Sequence, residues 1–455
     1  MTNLQKSRRF FLASLLIDPI IIFVLSLGLL LIPARAHALQ PLEDFLRQGA
    51  QRNFDNREAR DTTVQRVHEA SQAWARLLPS LTLQSDYIDN QYLGAANIPT
   101  GAPGPGGAPP TKHIVITPLD QWDASFVAAL SLIDVAAWDD IDAAKATREA
   151  QQAREAATAL EVQKTVARTY YQLIGASAVG RAARRTLAAA EDNAHFIETR
   201  TGAGLASELD LKRALAEVDR DRQAIEDADY STVTLGRSLE TLTGLTPEGD
   251  PVQDAPALPV DELREERPLA EWTSSVENLP SVQAAANDRR AADRTADGAL
   301  AAARYPTLST QFTERATNAI GFGQSPYYAA EVVATWKLDA GSSESARAKR
   351  AAAEAAAVRY DRARATAADT LFNDWHSVRT QIAKARAART SLVSSRLALS
   401  VAREKYGSGK ATLLDVVQAE RDTFSAEVTD IQAEADLASA RAALQLSAGH
   451  SLVSP

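Results

Sequence analysis

The chain has 455 residues, 45% of them hydrophobic and 24% charged, a balance that supports packed structure rather than disorder. Its formal charge is −9, with no cysteine and a single methionine. Disulfides, cysteine-ligated metal centres and lipid attachment through an N-terminal cysteine are excluded, and an acidic chain of this kind suits nucleic acid poorly.

Lys6, Arg8 and Arg9 open the chain, and a predominantly apolar run without a charged residue extends from Ile20 to Ile32. Ala36-His37-Ala38 then gives a small-x-small cleavage pattern. Residues 1–38 read as a signal peptide for export, with Asp18 and Pro19 interrupting any retained anchor. The segment SRRFFLA also resembles a twin-arginine signal, so the export route stays open. No later stretch approaches the roughly 18 unbroken apolar residues of a membrane-spanning helix. A return to the membrane would have to be made by strands.

Beyond residue 38 a helix is expected over 41–77. Alternation follows: Leu81, Leu83 and Tyr87 share one parity, Thr82, Gln84 and Asp86 the other. Residues 92–113, YLGAANIPTGAPGPGGAPPTKH, are dense in Gly and Pro and read as a loop without a helix or sheet ladder. A second strand places Trp122, Phe126, Ala128, Leu130 and Leu132 on one face. An Ala, Glu, Arg and Gln-rich helix is then expected over 135–201, a glycine-containing turn, and another helix over 207–243.

After a linker at 246–267 the order repeats. A helix is expected over 268–303, then one-sided strands with Leu308 and Phe312, and with Tyr328, Ala330, Val332, Ala334, Trp336 and Leu338. Helices over 340–406 and 412–448 finish the chain. TRTGAGLASELDLKRA at 199–214 corresponds to EKYGSGKATLLDVVQA at 404–419, an offset of 205 shared by Asp134 and Asp339, Tyr170 and Trp375, and Gly244 and Gly449. RLLPSLTLQ at 76–84 meets RYPTLSTQ at 304–311 with Pro79 on Pro306, an offset of 227, so the first copy carries 22 extra residues. Two structural repeats are expected, 39–245 and 268–455.

Strands apolar on one face and polar on the other suit a lipid-facing barrel, yet in lipid an open sheet edge costs several kcal/mol per unpaired group. Closed membrane barrels begin at about eight strands. Four strands per chain therefore call for shared barrels: two copies give eight, three give twelve, and spacing alone does not choose. Trp122, Tyr328 and Trp336 near strand ends fit interfacial aromatics. At the turns, glycines at 202, 204, 407 and 409 are expected to supply positive φ angles. Ser207 and Thr412, three residues before Asp210 and Asp415, have capping-box spacing. The scattered histidines have no ligand spacing, and no nucleophile elbow or phosphate loop is present, so neither cofactor nor catalytic chemistry is expected. The alternative from the same helices is a periplasmic coiled-coil scaffold or adaptor without a pore.

The tips GAGLASELD (202–210) and GSGKATLLD (407–415), the LPSLTL and YPTLST strand starts and the duplicated layout resemble the TolC-like outer membrane factors. The resemblance implies a mainly α fold with a small β part. That fold is a homotrimeric duct: a twelve-stranded β-barrel in the outer membrane continued by long helical hairpins forming an α-barrel across the periplasm. It implies no enzymatic activity, and partnership with a periplasmic adaptor and, indirectly, an inner-membrane transporter, in efflux or type I secretion. It places adaptor docking at Gly202, Gly204, Leu205, Gly407, Gly409 and Lys410, and a gate at Asp210, Tyr406 and Asp415. Ala411 and Gln418 depart from the family pattern, where an arginine and a second pore aspartate stand, which implies a thinner charge ring.

Overall fold

The computed structural model describes residues 39–104, 106–248 and 263–453. The expected signal peptide lies outside these residues, as does the linker from 249 to 262. The first half contains α1 (Leu42–Arg52), α2 (Phe54–Ala75), β1 (Ser80–Asp89), β2 (Gly94–Pro99), β3 (Thr111–Thr117), β4 (Asp120–Ile133), α3 (Val135–Gly202) and α4 (Glu208–Thr243). The second contains α5 (Leu269–Thr273), α6 (Pro280–Arg304), β5 (Thr307–Thr317), β6 (Tyr327–Thr335), α7 (Ala340–Gly407) and α8 (Leu413–Ser447).

Four strands of 9 to 14 residues form one antiparallel sheet in the order β1-β4-β5-β6. Their length matches the ~9–11 residues of a tilted membrane strand. The register sets Leu83 opposite Phe126, Tyr87 opposite Trp122, Ala128 opposite Phe312, and Thr310 opposite Val332. The apolar parities thus merge into one face, on which Leu83 is 81% and Val332 68% exposed. The other face is polar: Gln84 lies opposite Ser125 and Gln311 opposite Glu331, and Arg315 pairs with Asp123 at 2.7 Å.

Three expectations need correction. The segment 92–113 is more than a loop, because β2 and β3 pair as an antiparallel hairpin. Most of the Gly and Pro lie at its end, closed by the Thr100 amide donating to the Pro110 carbonyl at 2.7 Å, while Ile98, Ile114 and Val115 flank it with strand-favouring side chains. The helix expected over 41–77 is broken at Asn53, whose side-chain oxygen accepts from the amides of Asp55 and Asn56 and restarts the chain as α2. The helix expected over 268–303 is broken before Pro280, which opens α6 because its ring nitrogen has no hydrogen for a preceding turn.

Asp134, directly after β4, and Asp339, four residues after β6, cap α3 and α7, accepting from the amides of Ala137 and Ser342. Each of these helices has 68 residues and runs about 100 Å at 1.5 Å per residue. Near the sheet the layer order is α2, α3, α6, α7; towards the far end it is α4, α3, α8, α7. Among the described residues, no helix is long and apolar enough to cross a membrane.

The duplication extends to single bonds. The Tyr170 hydroxyl donates to the Gln40 carbonyl at 3.2 Å, and the Trp375 indole to the Arg267 carbonyl at 2.8 Å; the donors are 205 residues apart and the acceptors 227. Val166 and Leu371 are both fully buried beside them, in two separate apolar clusters.

Asn53 also donates from its amide to the Leu242 carbonyl at 3.0 Å, tying the α1–α2 break to the end of α4. Asn53→Ala, which deletes the cap and leaves that carbonyl unpaired, is expected to cost about 1–3 kcal/mol in urea unfolding of the detergent-solubilised protein. Asn53→Asp keeps the cap acceptors and recovers part of the loss.

Candidate functional site

At the far end of the helical layer, α3 and α7 terminate identically. The Leu205 amide donates to the Arg200 carbonyl at 2.8 Å and the Gly204 amide to the Thr201 carbonyl at 3.0 Å. In the second tip Lys410 donates to Lys405 at 2.8 Å and Gly409 to Tyr406 at 3.0 Å. This bond pair closes a helix around one left-handed residue, here Gly204 at φ +74° and Gly409 at +73°. Gly202 and Gly407 do not share that role: they are the last residues of their helices, without positive φ, because one left-handed residue suffices for the turn. Leu205 and Lys410 follow the turning glycines and are exposed.

The next helices start on Ser207 and Thr412. Thr412 and Asp415 form a reciprocal capping box: the Thr412 amide donates to the Asp415 carboxylate at 2.7 Å, and the Asp415 amide to the Thr412 hydroxyl oxygen at 3.4 Å. The first tip has only half of it, since the Asp210 amide donates to Ser207 Oγ at 3.1 Å while the Asp210 carboxylate accepts from that hydroxyl at 2.7 Å. Arg213 stands 3.9 Å from Asp210. Hydrogen bonds from the Thr412 amide and hydroxyl hold the exposed Asp415 carboxyl below the usual carboxylate range. A depressed value means that the cap is complete above that range and lost only as pH falls through the lowered value.

Tyr406 lies half-buried against an apolar cluster of Ala190, Ala194, Ile197, Ala214, Val218, Leu413 and Val417 that joins the hairpins α3–α4 and α7–α8. Ala411 is half-buried, and Gln418 donates to Asp422 at 2.9 Å. At the other end of the molecule Trp122 and Tyr328 sit on the apolar face of the sheet near the strand ends remote from the helices. Trp336 lies one residue beyond β6, on the helix side. All three are largely exposed, at 47%, 75% and 56%. Among the described residues no cluster of His, Asp or Glu is able to hold a metal ion.

A pair of apolar-faced strands feeding one capped helical hairpin therefore occurs twice in the chain, and the profile of the outer membrane efflux protein family matches residues 46–245 and 273–450. The chain belongs to this family. This outer membrane efflux protein is a passive exit duct of tripartite efflux systems and not an enzyme, which sets aside the pore-free scaffold.

Solved structures resemble it over nearly their whole length. The crystal structure of CusC has a TM-score of 0.75 at 17% identity, covering 90% of this chain and 92% of that one. The CmeC outer membrane channel of Campylobacter jejuni gives 0.73 at 16% identity, covering 90% and 86%. The open state of the MtrE outer membrane channel of Neisseria gonorrhoeae gives 0.72 at 20% identity, covering 91% and 90%. At such identities the likeness is one of fold. No curated protein sequence matches the chain.

Sequence reasoning missed the polar layer above the tips of this efflux protein, where Arg421 of α8 clasps Glu217 of α4 at 2.6 Å. The 205-residue register offers no signal for it, because these are contacts between the repeats rather than features shared by them.

The two classes of glycine separate on substitution. Gly409→Val forces a β-branched residue to positive φ and is expected to destabilise the tip by about 1–2 kcal/mol. At Gly407 an added Cβ meets nothing within 4 Å, so Gly407→Ala is neutral or slightly stabilising. Thermal melting of the purified protein distinguishes them.

Proposed function

We propose that three copies close into one ring, with β1 of each protomer pairing with β6 of the next to make a twelve-stranded barrel continued by a helical tube. One observation carries this reading: the unpartnered edges coincide along the whole molecule. One side is lined successively by β1, α2 and α4, and the other by β6 and α7. Exposed apolar residues collect on the same elements, with Val64 and Trp74 on α2, Tyr230 and Val233 on α4, and Val358, Val393 and Leu397 on α7. Two unlike edges on one chain make a head-to-tail contact, which closes as a ring. Threefold closure accords with the family resemblance and with the eight-strand minimum for membrane barrels.

In this ring the repeats 39–245 and 268–455, joined by 246–267, contribute two strands and one hairpin each. Trp122 and Tyr328 mark one lipid interface and Trp336 the other. The turns at Gly202, Gly204 and Leu205, and at Gly407, Gly409 and Lys410, are the docking surface for a periplasmic adaptor, through which an inner-membrane pump is reached. Ser207 and Thr412 hold these turns rigid by capping α4 and α8. Asp210, Asp415 and Tyr406 form the constriction, where a ring of carboxylates attracts cations and repels anions.

The chain's lack of cysteine makes the ring directly testable. Single cysteines stepped along β1 and along β6, combined in one chain, are expected to oxidise into covalent dimers and trimers in membranes, with a period of two residues. Crosslinks confined within monomers overturn the ring. Separately, Asp415→Asn retains cap acceptors while removing charge, and is expected to weaken divalent-cation block of reconstituted channels at least severalfold. Unchanged block removes Asp415 from the constriction.

A further inference from the structure

Between the tips and the middle of the helical layer, all four long helices frame a cleft of about 430 Å³. Its carboxylates are unequally provided for. Glu217 of α4 accepts from Arg421 of α8 at 2.6 Å and from Arg220 at 2.6 Å. Glu420 of α8 accepts from Arg403 of α7 at 2.9 Å, and Glu427 of α8 from Arg185 of α3 at 2.9 Å. Asp221 lies one helical turn beyond Glu217 and is 5% exposed. Its Oδ2 is shut from solvent and accepts no hydrogen bond, and Asp221 makes no ion pair among the described residues.

We propose that Asp221 is a proton-operated latch between the two hairpins: protonated, it lets α4 and α8 close over the cleft, and ionised, it drives them apart. The latch is separate from the tip constriction and does not depend on the role assigned to Asp415.

The charged groups around Asp221 leave it no counter-ion. On its own helix stand Glu217 and Arg220, and on α8 Glu420 and Arg421. Arg185 of α3 and Arg403 of α7 line the same cleft. Each arginine is already engaged by another carboxylate, so an ionised Asp221 is surplus negative charge held among Glu217 and Glu420 in a poorly hydrated site. A protonated carboxylic acid at this position carries no charge and removes the repulsion from both glutamates. Burial first, then the charges of Glu217 and Glu420, push Asp221 up to about 6 against the opposing pull of Arg220 and Arg421.

Linkage sets the direction. Parting α4 from α8 at the cleft exposes the carboxyl to water and returns it to its ordinary value near 3.8. The packed form then holds more protons between these two values, so packing strengthens as pH falls through about 6 and loses that support above it. The mechanical setting is suitable: the hairpins are joined through α3 and α8 and by the apolar cluster nearer the tips. Beside the cleft α4 meets α8 chiefly through the Arg421–Glu217 clasp, so α4 can swing on that seam.

Spin labels on the cysteine-free chain test this at Gln223→Cys on α4 and Ser425→Cys on α8, both exposed positions, in full-length protein diluted with unlabelled copies. The α4–α8 distance distribution is expected to lengthen between about pH 5 and about pH 7.5, with a midpoint near 6 and an equilibrium shift of about tenfold per protomer. Asp221→Asn, isosteric and uncharged, is expected to keep the short distribution throughout. A pH-invariant distribution in the otherwise unaltered protein overturns the proposal without recourse to any variant, as does an Asn variant that shifts with the same midpoint.

Discussion

Backbone hydrogen bonding in a medium without water governs this molecule. A sheet in lipid must pair every N–H and C=O, and the order β1-β4-β5-β6 leaves one edge of β1 and one edge of β6 without partners inside the chain. The side chains agree with that demand, since the face formed by Leu83, Phe126, Phe312 and Val332 has no core of its own to enter. Everything on the helix side follows. Because α3 is capped by the residue after β4 and α7 by the fourth residue after β6, the geometry of the sheet is handed to helices of about 100 Å through very short connections.

Duplication supplies this architecture economically, and the divergence between copies marks where each has specialised. Matching hydrogen bonds from Tyr170 and Trp375 anchor the start of each repeat to the middle of its long helix. The β2–β3 hairpin has no counterpart in the second copy, whose corresponding turn between β5 and β6 contains the Gly321 and Pro326 positions instead. Between the repeats the polar contacts are new: the clasp of Arg421 on Glu217 and the uncompensated Asp221 arise only when two unlike hairpins are laid side by side.

The legibility of these features in the sequence follows their range. Period-two alternation revealed all four barrel strands, and the proline-free runs revealed α3 and α7 to within a residue, since each depends on a local pattern repeated many times. The 92–113 hairpin was hidden because its eleven-residue Gly and Pro-rich end dominates the composition while its ladder rests on short flanks. The breaks at Asn53 and Pro280 were passed over because apolar spacing continues across them; only the cap geometry distinguishes a restart from a continuation. At the tips, the Thr412–Asp415 spacing foretold a capping box, whereas the same spacing at Ser207 and Asp210 gave half of one. Spacing fixes who can meet but not whether both bonds form, since Ser207 and Thr412 share nearly the same extended backbone and differ in outcome.

The two turns share a backbone but not a surface. Position for position, Leu205 in one turn is replaced by Lys410 in the other, each directly after its left-handed glycine. Arranged around a threefold axis, six teeth of equal shape would alternate in chemistry, greasy then cationic. A collar built from six identical subunits would consequently meet two kinds of seat, and its own members would be sorted into two unequal sets by the crown they grip.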